Sequence, residues 1–262
     1  MADPLAQARY ELSLANRIVA HEGVIDAFGH LSVRHPGDPN RYLISRSRSP
    51  ELVEPADILE FTLDSKPVKP LTVRPYGELV IHGCIYQARP DVMAICHHHA
   101  DAVLPFCATG MELVPVYHLG ATMGPKVPFW DSRDEFGDTN LLVLKPEEGR
   151  SLAKALGPYA MVLMRRHGAT VAAGSLPELV FRTIFSCRNA ELQLRAQAAG
   201  TIGPLTAGER KAAEERNLLA QPLTRAWEYW TVRVEKAGAL PPGKPKQSVQ
   251  KKGKTKAKTK RR

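Results

Sequence analysis

The chain has 262 residues, of which 44% are hydrophobic and 24% charged, a composition typical of a globular protein. The apolar stretch at 160–164 is far shorter than the roughly 20 residues of a membrane span. Residues 1–10 lack the basic and apolar regions of a secretory signal, so we expect a cytoplasmic enzyme. Four cysteines without CxxC spacing are expected to be free thiols.

The net charge of +9 is concentrated at one end of the chain. Ten lysines and arginines lie between positions 241 and 262 with no acidic residue, which leaves 26 basic and 27 acidic residues elsewhere. We therefore expect a nearly neutral catalytic domain at 1–238 and a disordered Lys-rich tail at 239–262. Such a tail would contact polyanions weakly and carry no role in activity.

Helical and strand-like patterns alternate along the chain without an internal linker. Helices are predicted at 3–23, 77–89, 102–107, 147–156 and 176–199, and at 207–236 with a break at Pro222. Strands are predicted at 31–34, 42–45, 92–99, 141–144, 160–164 and 170–173, with strand-like pieces within 58–71. One α/β domain accounts for this order.

The strongest chemical signal is a histidine pair at the end of the predicted strand 92–99. Because residues two apart in a strand point to the same face, His97 and His99 project together. Two imidazoles from one strand are suitable metal ligands. Cys96 and His98 point to the opposite face, where we interpret them as structural.

Two further residues add to this signal. Glu78 lies near the start of the helix 77–89, where unpaired amides favour a carboxylate anion, so it suits a metal ligand or a base. His82, one turn later, is interpreted as a packed residue that supports the site. His167 follows a buried strand, and Gly168 permits a sharp bend there.

Together these motifs resemble the class II aldolase/adducin family. The resemblance rests on the run from Gly77 to Ala100 with its Glu, Arg-Pro-Asp-Val and His-x-His, on Arg166-His-Gly-Ala169, and on Gly29-His-Leu-Ser-Val-Arg34. It covers about residues 8–235. It implies a single α/β/α layered domain with a central, mostly antiparallel sheet, and a homotetramer with sites at subunit boundaries.

The same resemblance implies roles for individual residues. His97, His99 and His167 become ligands of one divalent metal ion, and Glu78 becomes the carboxylate that ligates the metal or moves protons. Three imidazoles and a carboxylate suit Mn²⁺ or Zn²⁺ first, and also Fe²⁺ or Co²⁺.

The sequence departs from the sugar-phosphate aldolases of this family where those enzymes grip phosphate. His30, Ser45-Arg-Ser-Arg-Ser49 and Tyr76-Gly77 replace the small hydroxyl and amide residues. Arg46 and Arg48 suit carboxylates instead, although they also fit a solvated basic loop. His30, Arg46 and Arg48 are therefore the candidate substrate-binding residues.

This pattern resembles the decarboxylase branch of the family, which acts on ortho-hydroxy aromatic dicarboxylates. It implies a divalent-metal-dependent decarboxylase of a benzene or pyridine dicarboxylate in aromatic catabolism. Glu78 is the preferred proton donor, ahead of His30 or Tyr229 of a neighbouring subunit. Two alternatives stay open: an aldolase or epimerase acting on a non-phosphorylated sugar or hydroxy-keto acid, and an adducin-like binding module.

Overall fold

The computed structural model describes residues 3–245, which form one sheet with helices on both faces. The strands are β1 His30–Arg34, β2 Arg41–Ser45, β3 Ile58–Thr62, β4 Ala94–His98, β5 Phe129–Trp130, β6 Met161–Met164 and β7 Gly168–Ala173. They pair in the order β3-β2-β1-β4-β7-β6-β5. Every pair is antiparallel except β5 and β6, which confirms the mostly antiparallel sheet.

Apart from the short α4, which the sequence analysis does not predict, the helices begin and end close to their predicted bounds. They are α1 Pro4–His21, α2 Leu79–Ala88, α3 Leu104–Thr109, α4 Arg133–Phe136, α5 Pro146–Leu156, α6 Leu176–Ala199, α7 Ala207–Asn217 and α8 Ala220–Lys236. Short 3₁₀ turns lie at Pro50–Leu52, Pro55–Asp57 and Gly120–Met123. Asp3 caps α1, and Ser175 caps α6 by accepting a hydrogen bond from the Glu178 amide.

Alternate residues of β4 belong to two separate cores. Ala94 and Cys96 pack with apolar residues of α1, α6 and α8, whereas Ile95 packs with residues of α2 and α5. Because β4 lies in the middle of the sheet, both of its faces are buried. The expected α/β/α layering is therefore confirmed.

Three sequence predictions of secondary structure are wrong in detail. Residues 141–144 form no strand: Leu141 has a positive φ of 68° and Leu142 is 43% exposed. The break in the last helical region lies at residues 218–219, because Pro222 falls in the first turn of α8, where a proline is tolerated. Within 58–71 only β3 is a strand.

The folded body extends a little beyond its predicted boundary at 238. The Arg17 guanidinium donates hydrogen bonds to the carbonyls of Ala239 and Leu240, at 2.9 and 3.3 Å, and Pro241 is buried. The prediction of a disordered tail is thus wrong for 239–241, and positions 246–262 lie outside the described residues. No helix in the described part of the chain has the length and apolarity needed to cross a membrane.

Candidate metal centre and active site

Four side chains from distant parts of the chain converge at one end of the central strand. They are Glu78, His97, His99 and His167, whose potential ligand atoms all lie within 4.8 Å of one another. The Nε2 atoms of His97 and His99 are 3.0 Å apart. The Glu78 carboxylate oxygens lie 3.7 Å from Nε2 of His97 and 3.7 Å from Nε2 of His167.

The sheet holds His97 in a fixed orientation. His97 is fully buried on β4, and its Nδ1 is 3.1 Å from the hydroxyl of Thr170, its cross-strand partner on β7. This contact leaves Nε2 for the cluster. His99 follows the last residue of β4, and its ring contacts the other two imidazoles. Cys96 and His98 are buried and do not belong to the cluster, as the strand alternation predicts.

His167 lies in the turn between β6 and β7. The residue with left-handed backbone in this turn is Arg166, at a φ of 52°, and not Gly168 as the sequence suggests. Gly168 is needed for another reason: a Cβ atom there would overlap the carbonyl of His98 and lie 2.9 Å from Cδ2 of His99. The absence of a side chain at Gly168 lets the turn reach the end of β4.

Glu78 occupies the N-cap position of α2, but its side chain makes no capping hydrogen bond. Its Oε1 accepts a hydrogen bond of 2.9 Å from the backbone amide of Val143, and the residue is only 8% exposed. Burial raises the pKa of Glu78 to about 7, although the Val143 amide acts in the opposite direction. The expectation of a carboxylate stabilised as an anion by the helix amides is therefore wrong for the metal-free protein.

The three histidines are held as neutral imidazoles. Burial lowers the pKa of all three below its ordinary value, well below for His97 and to about 4 for His167. Neutral imidazole is the form that binds a metal. Neither ring nitrogen of His167 has a hydrogen-bond partner within the described residues, although both are buried. A buried nitrogen without a partner is costly, so three imidazoles and a carboxylate at this spacing fit a divalent cation.

His30 lies beside this cluster. It pairs with His97 across β1 and β4, and the two ring centroids are 5.2 Å apart. The preceding Gly29 has a φ of 105°, and a Cβ atom there would lie 2.9 Å from the His97 carbonyl. The Nδ1 of His30 is 2.7 Å from Nε2 of His82, which confirms His82 as a packed, supporting residue. Tyr76 packs on the other side, with ring centroids 4.7 Å apart.

Arg46 and Arg48 are held by a single carboxylate. Arg46 Nε and Arg48 Nη1 each lie 2.6 Å from a different oxygen of Asp57. The loop is connected to the centre by the Tyr76 hydroxyl, which donates to the carbonyl of Arg48 while the Tyr76 ring contacts His30. Each guanidinium still has N–H groups that Asp57 does not use, so a role toward a substrate carboxylate stays a prediction.

Tyr229 lies on α8 with 55% of its surface exposed and with the Arg233 guanidinium over its ring. Within a single chain it is not one of the residues gathered at the centre. Its suggested role as a proton donor to a neighbouring subunit stays a prediction.

Sequence reasoning overlooked three groups that hold the site together, the Val143 amide and the hydroxyls of Ser32 and Tyr86, and it noted Tyr76 without the contact that its hydroxyl makes to the Arg48 carbonyl. Val143 was hidden because its segment reads as a strand. Because side chains alternate along β1, Ser32 lies on the same face as His30. This alternation was the available signal that the Ser32 hydroxyl lies near the site. Tyr86 lies one turn after His82 on α2, which was a second signal.

With this fold and this site, the chain belongs to the class II aldolase/adducin family, as its sequence motifs suggest. The family model, described as the Class II Aldolase and Adducin N-terminal domain, matches residues 10–194. Among curated relatives, the decarboxylase tropJ of Talaromyces stipitatus is 34% identical over 243 residues, covering 84% of this chain and 91% of that protein. A 3,4-dihydroxyphthalate decarboxylase of Arthrobacter keyseri is 30% identical over 205 residues, covering 74% and 81%.

Solved structures agree on the fold. An aldolase II superfamily protein from Pseudomonas syringae matches with a TM-score of 0.76 at 20% identity, covering 92% of this chain and 96% of that one. At this identity the likeness concerns the fold alone. The family and its decarboxylase relatives identify the chain as an enzyme of the lyase kind.

Proposed function

We propose that the protein is a divalent-metal-dependent decarboxylase of an ortho-hydroxy aromatic dicarboxylate, with a benzene or pyridine ring. The observation that carries this proposal is the convergence of Glu78, His97, His99 and His167 in a chain whose relatives include a 3,4-dihydroxyphthalate decarboxylase. Decarboxylation leaves an electron pair that must be held next to the carbon that loses CO₂. A hydroxyl ortho to that carbon provides the oxygen for this purpose.

His97, His99 and His167 would hold the metal ion, as Mn²⁺ or Zn²⁺ first and Fe²⁺ or Co²⁺ as alternatives. When bound, the metal supplies a positive charge that stabilises the negative charge on the ring oxygen and on the departing carboxylate. Thr170 fixes the orientation of His97, so that Nε2 and not Nδ1 is turned to the cluster.

Glu78 is the residue that we assign to proton transfer. Its carboxyl group is buried beside the three imidazoles, and burial favours the protonated form, which can give a proton to the ring carbon that carries the leaving carboxylate. The Val143 amide holds one carboxylate oxygen, Oε1, in place. After the loss of CO₂ restores aromaticity, Glu78 regains a proton from solvent.

Arg46 and Arg48 are proposed to bind the carboxylate that the reaction leaves on the ring. Asp57 restrains both side chains, which lowers the entropy that ligand binding must overcome. The remaining N–H groups of two neighbouring guanidinium groups provide a charged contact for an anionic group of the substrate, which a neutral substrate lacks.

We include a cytoplasmic homotetramer in the proposal. Support for the location is that all four cysteines are buried and unpaired thiols, the form found in reducing compartments. The support for a homotetramer is the family membership, because the resemblance to class II aldolases implies active sites at the boundaries between subunits.

The test combines metal analysis with an assay of CO₂ release. The purified protein is expected to contain about one divalent ion per chain and to release CO₂ from 3,4-dihydroxyphthalate or a hydroxypyridine dicarboxylate. Methylation of the ortho hydroxyl should abolish release, because it removes the oxygen that accepts the electron pair. Cleavage of a non-phosphorylated sugar or hydroxy-keto acid without CO₂ release would instead support the aldolase or epimerase alternative.

A further inference from the structure

A chain of buried hydrogen bonds runs from α2 to the edge of the metal centre. The hydroxyl of Tyr86 is 2.9 Å from Oγ of Ser32, and that oxygen is 2.6 Å from Nδ1 of His82. Nε2 of His82 is 2.7 Å from Nδ1 of His30. All four residues are buried, and His30 lies against His97.

The direction of this chain follows from its buried end. Tyr86 is 1% exposed, and within the described residues its hydroxyl has one hydrogen-bond partner, Ser32. A buried O–H group without an acceptor is costly, so Tyr86 donates to Ser32. The hydroxyl hydrogen of Ser32 then has Nδ1 of His82 as its acceptor.

The two imidazoles follow in order. A neutral imidazole has one donor and one acceptor nitrogen, so His82 with an acceptor at Nδ1 carries its hydrogen at Nε2 and donates to Nδ1 of His30. His30 must then carry its own hydrogen at Nε2. The reverse direction would put the Ser32 hydrogen on the Tyr86 oxygen and leave the Tyr86 hydroxyl hydrogen buried without an acceptor.

We propose that Tyr86, Ser32 and His82 are positioning residues that hold His30 in the tautomer with hydrogen on Nε2, so that His30 donates a hydrogen bond to an anionic oxygen of the substrate. His30 is then neither a base nor a metal ligand, because its Nε2 has no free lone pair in this tautomer. The identity of the acceptor as a carboxylate or phenolate oxygen of an ortho-hydroxy aromatic acid rests on the proposed function. The tautomer itself does not.

The same chain of hydrogen bonds makes His30 a poor proton donor. If His30 gave up its Nε2 hydrogen, each donor in turn would have to shift one proton, and the last would come from the Tyr86 phenol. Burial raises the pKa of Tyr86 well above that of an ordinary phenol, so this shift is unfavourable. His30 keeps its proton, which favours Glu78 over His30 as the proton donor.

The test is ¹⁵N NMR of the full-length chain labelled in its histidine imidazoles. The His30 signals are assigned by their loss in His30→Gln, and spectra are recorded with and without added Zn²⁺. We expect a protonated Nε2 and an unprotonated Nδ1 for His30 in both spectra, whereas Zn²⁺ shifts the signals of His97, His99 and His167. An unprotonated Nε2 in the wild-type chain, or a shift that shows Zn²⁺ bound to His30, would overturn the proposal.

Two tyrosine variants test the origin of the preference. Tyr86→Phe removes the hydroxyl that sets the direction, so the other tautomer of His30 should appear. Tyr42→Phe is the matched control, because Tyr42 is an equally buried neighbour at 5.6 Å between ring centroids whose hydroxyl bonds to Ser65 and Leu79 and not to the chain. An unchanged tautomer of His30 in Tyr86→Phe, or an equal change in both variants, would refute the proposal that the hydrogen bonds from Tyr86 set the His30 tautomer. Failure of every aromatic acid as a substrate would count against the proposed function and leave the tautomer result intact.

Discussion

The substitution Glu78→Gln should stabilise the metal-free protein at alkaline pH while impairing its activity. The amide has the shape of the carboxyl group, and its oxygen can still accept the hydrogen bond from Val143, so packing is preserved. What changes is the charge. In the unfolded chain Glu78 ionises near its ordinary pKa of 4.5, whereas in the folded protein burial raises this value to about 7.

The magnitude follows from the pKa difference. At about 1.4 kcal/mol per pH unit, a rise from 4.5 to about 7 corresponds to about 3 kcal/mol. Below the unfolded pKa both states are protonated and the carboxyl costs nothing. As the pH rises from the unfolded pKa to the folded pKa, the unfolded chain ionises first, so the wild-type protein loses stability relative to the variant. The wild type should therefore be less stable than Glu78→Gln by about 3 kcal/mol near pH 8, and by less than about 1 kcal/mol near pH 5.

The measurement is urea unfolding of both proteins with a chelator present, at the two pH values. Contributions of the buried histidines are common to both proteins and largely cancel in the difference. With metal added, the difference should shrink or reverse, because the negative charge of Glu78 favours binding of a cation to the folded protein and the amide of Gln lacks that charge. A difference in unfolding free energy that does not depend on pH, or a wild type that is the more stable protein near pH 8 without metal, would refute the reasoning.

Four further predictions concern the site and the C-terminal boundary of the folded domain. His99→Ala should lose the bound metal on elemental analysis while the exposed control His118→Ala keeps it, and stoichiometric metal in the first variant would contradict the ligand assignment. Arg48→Met should raise KM for a dicarboxylate about ten- to a hundredfold, the value of a charge-assisted hydrogen bond, and change KM for a monocarboxylate analogue much less; equal changes would make the arginine structural. Truncation after Pro245 should leave turnover and thermal stability intact while removing salt-sensitive binding to polyanions. Truncation after Gly238 should lower the unfolding free energy by about 1–3 kcal/mol, because it removes two of the three carbonyl acceptors of the Arg17 guanidinium and leaves only that of Val53, and equal stability of the two truncations would contradict this.

The cluster was predictable where one element carried the geometry. His97 and His99 follow from the alternation of a strand, which fixes the face of each side chain without knowledge of the rest of the fold. Glu78 and His167 were singled out by their local positions, at the start of a helix and after a buried strand, but their role as one set with His97 and His99 came from the family resemblance, since nothing local says that a hairpin turn and a helix start meet the end of β4.

Features that depend on contacts between separate parts of the chain could not be predicted from the sequence. The ion pairs of Arg46 and Arg48 join positions 11 and 9 residues apart through a loop with no periodic pattern. The protonation of Glu78 near neutral pH was missed because its position before a helix suggests amide partners, whereas the folded chain turns it toward Val143 and away from water. Burial, which no local pattern records, decided the outcome.

Gly29 and Gly168 pack closely against the strand that carries His97, and this close packing limits where substitutions can change substrate preference. A side chain at Gly29 would press on the His97 carbonyl, and one at Gly168 would press on the backbone of His98. The strand that carries His97 thus has no free volume at these two contacts, and substitutions there should cost stability before they alter selectivity. Substitutions should be better tolerated in two segments beside the site, the loop that carries Arg46 and Arg48 and the exposed segment around Val143. We expect directed evolution to find altered ring or carboxylate preferences in those two segments, with the central strand left as it is.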